Sequence, residues 1–202
     1  MTASFLRLTT LAVCSVAVLA GQQVPAVRQG SFELGAFVGS SYGLDHYRVM
    51  GGGNVSYGLT KYILPYVEYS YFPGIERQIN GTFPNGGAFT VKEEIPISDF
   101  HGGVHIRIPI RESHLVPYGV FGMGALTSFD RTAVATFSGG TLPFRIPGET
   151  DFAINFGGGL RYYIGQKYGF RVEAKAYKPY NGSPGFNNPF GKVEFGFFFQ
   201  LR

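Results

Sequence analysis

The chain has 202 residues, a formal net charge of +4, only 15% charged residues and 16% aromatic residues, with 30 glycines and no tryptophan. Low charge with many aromatics excludes a disordered chain, and glycines without a three-residue period exclude collagen. No apolar run reaches the roughly 18 residues of a membrane-spanning helix.

Residues 1–20 read as a secretory signal. One cation, Arg7, precedes an apolar stretch, and Val18-Leu-Ala20 before Gly21 supplies the small residues that signal peptidase requires. Cleavage between Ala20 and Gly21 is therefore expected, leaving residues 21–202 as one domain. Cys14 follows Val13 and not a small residue, which excludes a lipoprotein acylation site. Cleavage removes this one cysteine, so the mature domain is exported without a disulfide and needs another source of stability. The mature charge, lowered by loss of Arg7, is scattered with no run of five basic residues, which argues against nucleic acid as a partner.

Beyond the leader the hydropathy period is two. Eight stretches alternate: residues 31–38, 50–57, 66–72, 98–108, 116–129, 152–164, 170–177 and 193–201. Residues 116–129 are apolar on both faces, so their facing stays open. Three connections are short (58–62, 109–115 and 165–168). Four are longer (40–47, 73–97, 130–150 and 178–188) and carry turn chemistry such as Pro84-Asn-Gly-Gly87. Even strand number with short and long connections in alternation predicts an all-β, antiparallel, eight-stranded up-and-down barrel, with all long loops at one end. Composition leaves open whether the second and third long loops are ordered β-extensions.

A soluble barrel points charge outward; a membrane barrel points it inward, because lipid solvates neither charge nor an unpaired backbone group. The polar faces carry five acids, Glu33, Glu68, Asp99, Glu173 and Glu194, and five bases, Arg107, Arg161, Arg171, Lys175 and Lys192, with His101 and His105 beside them. So close a balance suits a narrow lumen in which each buried charge must be neutralised. The opposite faces carry no charge, as a bilayer requires. A transmembrane barrel in contact with outer-membrane lipid is the expectation, and an exported soluble barrel the alternative. Avoiding like charges in direct opposition places Arg161 against Glu173 and centres the last short turn on Lys167.

Three stretches carry a family resemblance: Val55-Ser-Tyr-Gly-Leu-Thr-Lys61, Gly157-Gly-Gly-Leu-Arg-Tyr-Tyr-Ile164, and the C-terminal Glu194-Phe-Gly196-Phe-Phe-Phe199-Gln-Leu201. The chain resembles the small eight-stranded bacterial outer-membrane barrels, the group that includes the barrel of outer membrane protein A, from about Gly30 to Arg202. The resemblance implies a cell outer-membrane location in a Gram-negative bacterium. It also implies that the barrel assembly machinery reads Glu194, Gly196, Phe199 and Leu201, with Arg202 standing where a terminal aromatic is commoner.

Signals for catalysis are thin. Gly51-Gly-Gly-Asn54 and the glycines at 119–124 lack the following helix of a phosphate-binding loop. His101 and His105 lie about 13 Å apart along a strand, too far to share a metal ion. No histidine has serine two residues on, and Asp45-His46 is the one acid–histidine neighbourhood near a long loop. Asn80-Gly-Thr82 and Asn181-Gly-Ser183 match glycosylation sequons but read as Asn-Gly turns. The expected function is structural or adhesive, in a monomer without cofactor, metal or catalytic residues, with an unknown loop ligand. A small pore and a lipid A-modifying enzyme are the alternatives.

Overall fold

The computed structural model describes residues 28–44, 46–74, 76–84, 86–110, 113–180 and 188–201. The leader and its cleavage site, Asp45, the second sequon and Arg202 lie outside the described residues.

In chain order the strands are β1 (Phe32–Leu44), β2 (His46–Tyr57), β3 (Ile63–Phe72), β4 (Glu76–Thr82), β5 (Ala88–Glu94), β6 (Ile97–Arg107), β7 (Leu115–Ser128), β8 (Arg131–Phe137), β9 (Gly140–Ile146), β10 (Glu149–Tyr163), β11 (Tyr168–Pro179) and β12 (Phe190–Leu201). Eight of them close a barrel in the order β1-β12-β11-β10-β7-β6-β3-β2. Every ladder in it is antiparallel, and β1 completes the ring against β12 from Phe32↔Leu201 to Tyr42↔Gly191. Closure leaves no barrel strand with an unpaired edge, the condition for crossing lipid with strands.

The wall is inverted relative to a water-soluble barrel. On β11, Arg171, Glu173, Lys175 and Tyr177 are buried while Val172 and Ala174 are exposed. On β7, Val116, Tyr118 and Val120 point in while Phe121 and Met123 point out, which settles the facing that two apolar faces left open. Aromatic side chains gather at both rims. Phe32 packs on Tyr57 at 4.9 Å and Tyr168 on Phe199 at 5.1 Å at the short-turn end. Tyr71 faces Phe129 at 6.5 Å and Phe152 faces Tyr180 at 6.1 Å at the other. On β10, Phe152 and Tyr162 bound about 33 Å of strand, or about 25 Å normal to the membrane at the usual tilt. That is the apolar band of an outer-membrane barrel flanked by its aromatic girdles.

The long connections differ from the sequence reading. Residues 40–47 are mostly strand: β1 and β2 run on past the band and their register shifts between Ser41 and Leu44. The connection after β3 folds into the β4–β5 hairpin and the one after β7 into the β8–β9 hairpin. The two then pair through β5 and β8, from Phe89↔Phe137 to Lys92↔Val134, to give a four-stranded outer sheet β4-β5-β8-β9. Asn80-Gly81, read as a turn, lies inside β4, where Asn80 accepts a 2.8 Å hydrogen bond from the Thr90 hydroxyl. The turn falls later, where the Phe83 N–H meets the Gly87 carbonyl at 2.7 Å and Gly86 adopts φ +85°. Asp130 ties the base of the β8–β9 hairpin, accepting from the Gly148 N–H at 2.6 Å and pairing with Arg145. These two donors, the backbone N–H first, hold its carboxyl below the usual carboxylate range.

The register of β10 on β11 corrects the sequence expectation. Arg161 stands opposite Arg171, Glu173 stands opposite Gly159, and the turn centres on Gln166 and not Lys167. Gly165, at φ +134°, begins that turn, and the Ile164 N–H meets the Tyr168 carbonyl at 3.0 Å. The pairing rule for charges holds where ladder neighbours are the nearest partners. In a narrow closed tube inward side chains converge on the axis, so partners come from distant strands as well as from the ladder neighbour.

The candidate site is the charged lumen and its outer sheet

All twelve polar positions named from the sequence lie inside the barrel and are buried. Near the short-turn end Glu33 on β1 is a hub. It pairs with Arg161 of β10, accepts from Gln200 of β12 at 2.9 Å and meets Arg107 of β6 at 3.4 Å. Arg107 also donates to the Thr60 carbonyl at 2.8 Å, and Arg161 touches His105 Nδ1 at 2.9 Å. The Arg161 guanidinium lies 5.1 Å over the Tyr118 ring and 5.2 Å over that of Phe198, so two aromatic faces supplement its one carboxylate.

At mid-depth Glu68 on β3 receives Lys175 and Lys192, each at 2.7 Å, and Arg171 at 3.4 Å. Glu194 on β12 takes Arg171 at 2.8 Å. Glu173 pairs with Lys175, accepts from the Tyr118 hydroxyl and lies 3.5 Å from His105 Nε2. Gly159 makes room for that tyrosine, because a Cβ there would lie 2.7 Å from the ring carbon and oxygen of Tyr118. Toward the long-loop end Asp99 on β6 joins His101, takes the Tyr177 hydroxyl at 3.0 Å and meets Lys192 at 3.3 Å. The twelve residues thus form one connected network of ion pairs and hydrogen bonds along the lumen, its two parts joined by the Arg161–His105 contact.

Apolar clusters close that network at both ends. Val116, Tyr163 and Phe198 pack together at the short-turn end. Phe37, Met50, Phe72, Ile95, Ile97, Leu126, Ala153, Tyr177 and Phe190 pack toward the long-loop end. Eight strands leave an interior just wide enough for side chains to fill, and here large side chains fill it. The carboxylates of Glu68, Glu173 and Glu194 bring oxygens within 4.8 Å of one another. Two lysine ammonium groups already stand 2.7 Å from Glu68, occupying the position a metal ion would take.

Among the described residues, sequence reasoning missed two buried charges of the barrel, Arg48 on β2 and Asp151 on β10, and one of the outer sheet, Glu93 on β5. Arg48 donates to the Ile95 carbonyl at 2.7 Å across the mouth. Arg48 and Asp151 fell between the stretches read as loop and as strand, although the alternation through Met50 and Ala153 continues onto them. At the C-terminus Glu194 belongs to the lumen network, Gly196 is buried and Leu201 is exposed. Asp45 lies outside the described residues, as does the side chain of His46.

The outer sheet is amphipathic. The ladders put Ile79, Val91, Ala135 and Leu142 in one row, with Phe89 and Phe137 in a second row on the same face. The other face carries Asn80, Thr90 and Thr136 in one row. Leu142 is 58% and Phe144 39% exposed, so part of the apolar face is open.

No protein-family model matches the chain and no curated protein matches it. Solved structures do. Ail, the attachment invasion locus protein of Yersinia pestis, aligns over 86% of this chain and 100% of its own, with 13% identity and a TM-score of 0.53. The fold is that of the small outer-membrane barrels. Ail in complex with the heparin analogue sucrose octasulfate aligns over the same shares, with 12% identity and a TM-score of 0.50. The N-terminal barrel domain of OprF from Pseudomonas aeruginosa aligns over 86% of this chain and 98% of its own, with 16% identity and a TM-score of 0.47.

Proposed function

We propose that this outer-membrane barrel is a monomeric, non-catalytic surface protein, in which a sealed barrel is the anchor and the β4-β5-β8-β9 sheet is the contact surface. It uses no cofactor, and its last strand, with Glu194, Gly196, Phe199 and Leu201, is what the barrel assembly machinery reads. Residues 1–20 act as the cleaved leader. The observation that carries this reading is the pairing of β5 with β8. It converts two separate loops into one ordered platform with exposed Ile79, Leu142 and Phe144. A lumen filled by ion pairs and capped by Phe72, Leu126 and Phe190 favours a plug over a pore. Ail, whose name refers to attachment and invasion, shares the fold.

The test is to replace residues 76–94 and 131–147 by short turns and compare attachment of expressing cells to a host-cell layer. Attachment falls to background while the boiled and unboiled forms still migrate differently on a gel, which reports a folded barrel. Attachment equal to that of the intact protein would overturn the reading.

A further inference from the structure

Among the described residues, the outward faces of the eight barrel strands carry one charged side chain, Lys178 on β11. Its ladder partner is Ile154 of β10, and it stands two residues below Tyr180, whose ring lies 6.1 Å from that of Phe152. It therefore sits just inside the aromatic rim on the long-loop side. A lysine at that depth lays its methylenes along the wall and keeps its ammonium among the headgroups.

Beneath Lys178 the wall is hollow. Ala174 and Ala176 on β11 and Gly191 on β12 are too small to fill the outward face, while Tyr42, Phe156 and Val193 stand around them. Together they line an open groove of about 430 Å³, within the range of about 300–1,000 Å³ usual for small-molecule sites. The groove opens toward lipid, so a hydrocarbon chain seated in it touches walls on several sides, where a flat wall offers one. Lys178 lies outside the lining, two residues beyond Ala176 on the same face of β11, and a charge on that side selects an anion.

We infer that this groove holds one acyl chain of an anionic, phosphate-bearing lipid from the leaflet on the long-loop side, with the phosphate on Lys178. The chain supplies contact and the lysine supplies the choice between headgroups. A lysine near a membrane surface favours an anionic over a neutral lipid by about fivefold.

The test is native mass spectrometry of the folded protein, released from micelles holding equal amounts of phosphatidylglycerol and phosphatidylcholine with identical chains. The wild type retains phosphatidylglycerol over phosphatidylcholine by about fivefold. Lys178→Gln removes that preference and leaves binding of phosphatidylcholine unchanged. Ala176→Phe fills the groove and lowers retention of both lipids. Each variant is first checked for the migration shift of a folded barrel. Equal retention of the two lipids by the wild type, a preference that survives Lys178→Gln, or unchanged retention in Ala176→Phe would each overturn the assignment.

Discussion

Arg161 and Arg171 are direct ladder partners on β10 and β11, yet each guanidinium finds its carboxylate elsewhere. Arg161 reaches Glu33 on β1, and Arg171 reaches Glu68 on β3 and Glu194 on β12. The same holds on the next ladder, where Glu173 opposes Glu194 and Lys175 opposes Lys192. Like charges thus stand opposite one another on these ladders, and they are neutralised both across the axis, by Glu33 and Glu68, and along the wall, where Glu194 takes Arg171 and Glu173 takes Lys175.

A double-mutant cycle separates the two relationships. Between Arg161→Met and Glu33→Gln, unfolding by urea in bilayers gives a favourable coupling of about 1–3 kcal/mol. Between Arg161→Met and Arg171→Met the coupling is near zero or unfavourable. A favourable coupling between the two arginines would contradict the cross-lumen arrangement.

Glu33 also sets a single-site expectation. Glu33→Gln leaves Arg107 and Arg161 buried without their shared carboxylate, and breaking such a buried pair costs about 3–5 kcal/mol. The urea midpoint falls accordingly, and Glu93→Gln in the outer sheet, beside Arg131, leaves the barrel's midpoint nearly unchanged.

The outward face predicts a different penalty. Phe121 lies near the middle of β7 and is exposed toward lipid. Phe121→Arg destabilises the folded barrel by about 2–4 kcal/mol, read from the same urea transition. A cost below about 1 kcal/mol is the value for a residue at the interface, and would place Phe121 there.

The outer sheet is testable by cross-linking. Thr90 and Thr136 are partners across β5 and β8, so Thr90→Cys with Thr136→Cys forms an intrachain disulfide under mild oxidation, within the reach of the bond. Thr90→Cys with Thr141→Cys, separated by the width of β8, does not.

The base of the β8–β9 hairpin responds to pH. Because the Asp130 carboxyl is held below its usual range, the tie to Gly148 and Arg145 is complete above the ordinary carboxylate pKa and is lost as pH falls through the depressed value. Once intrinsic exchange rates are divided out, protection of the Gly148 amide declines over that acid window. Asp130→Asn removes this pH dependence.

Much of the barrel was legible because alternation is a local signal. Phe100, Ile106 and Phe121 on one face, against His101 and His105 on the other, already state what must meet lipid. The strand ends were less legible, since Arg48, Asp151 and Lys178 continue the alternation beyond stretches that stopped at neighbouring turn residues. The register was misread because Arg161 and Arg171 were judged as neighbours on an open sheet, when the closed tube adds Glu33 and Glu68, three and four strands away, to the neighbouring Glu194. The outer sheet was hidden because pairing β5 with β8 depends on two loops meeting in space, which neither loop's composition encodes.

The measurement that bears most directly on the proposal that the ion-paired lumen is sealed is conductance of the purified, folded protein in planar lipid bilayers. The account predicts a baseline without discrete openings in the wild type. Steady ohmic steps from the wild-type protein would mean that the Glu68, Lys175 and Lys192 cluster leaves a water path, and the pore would replace the plug.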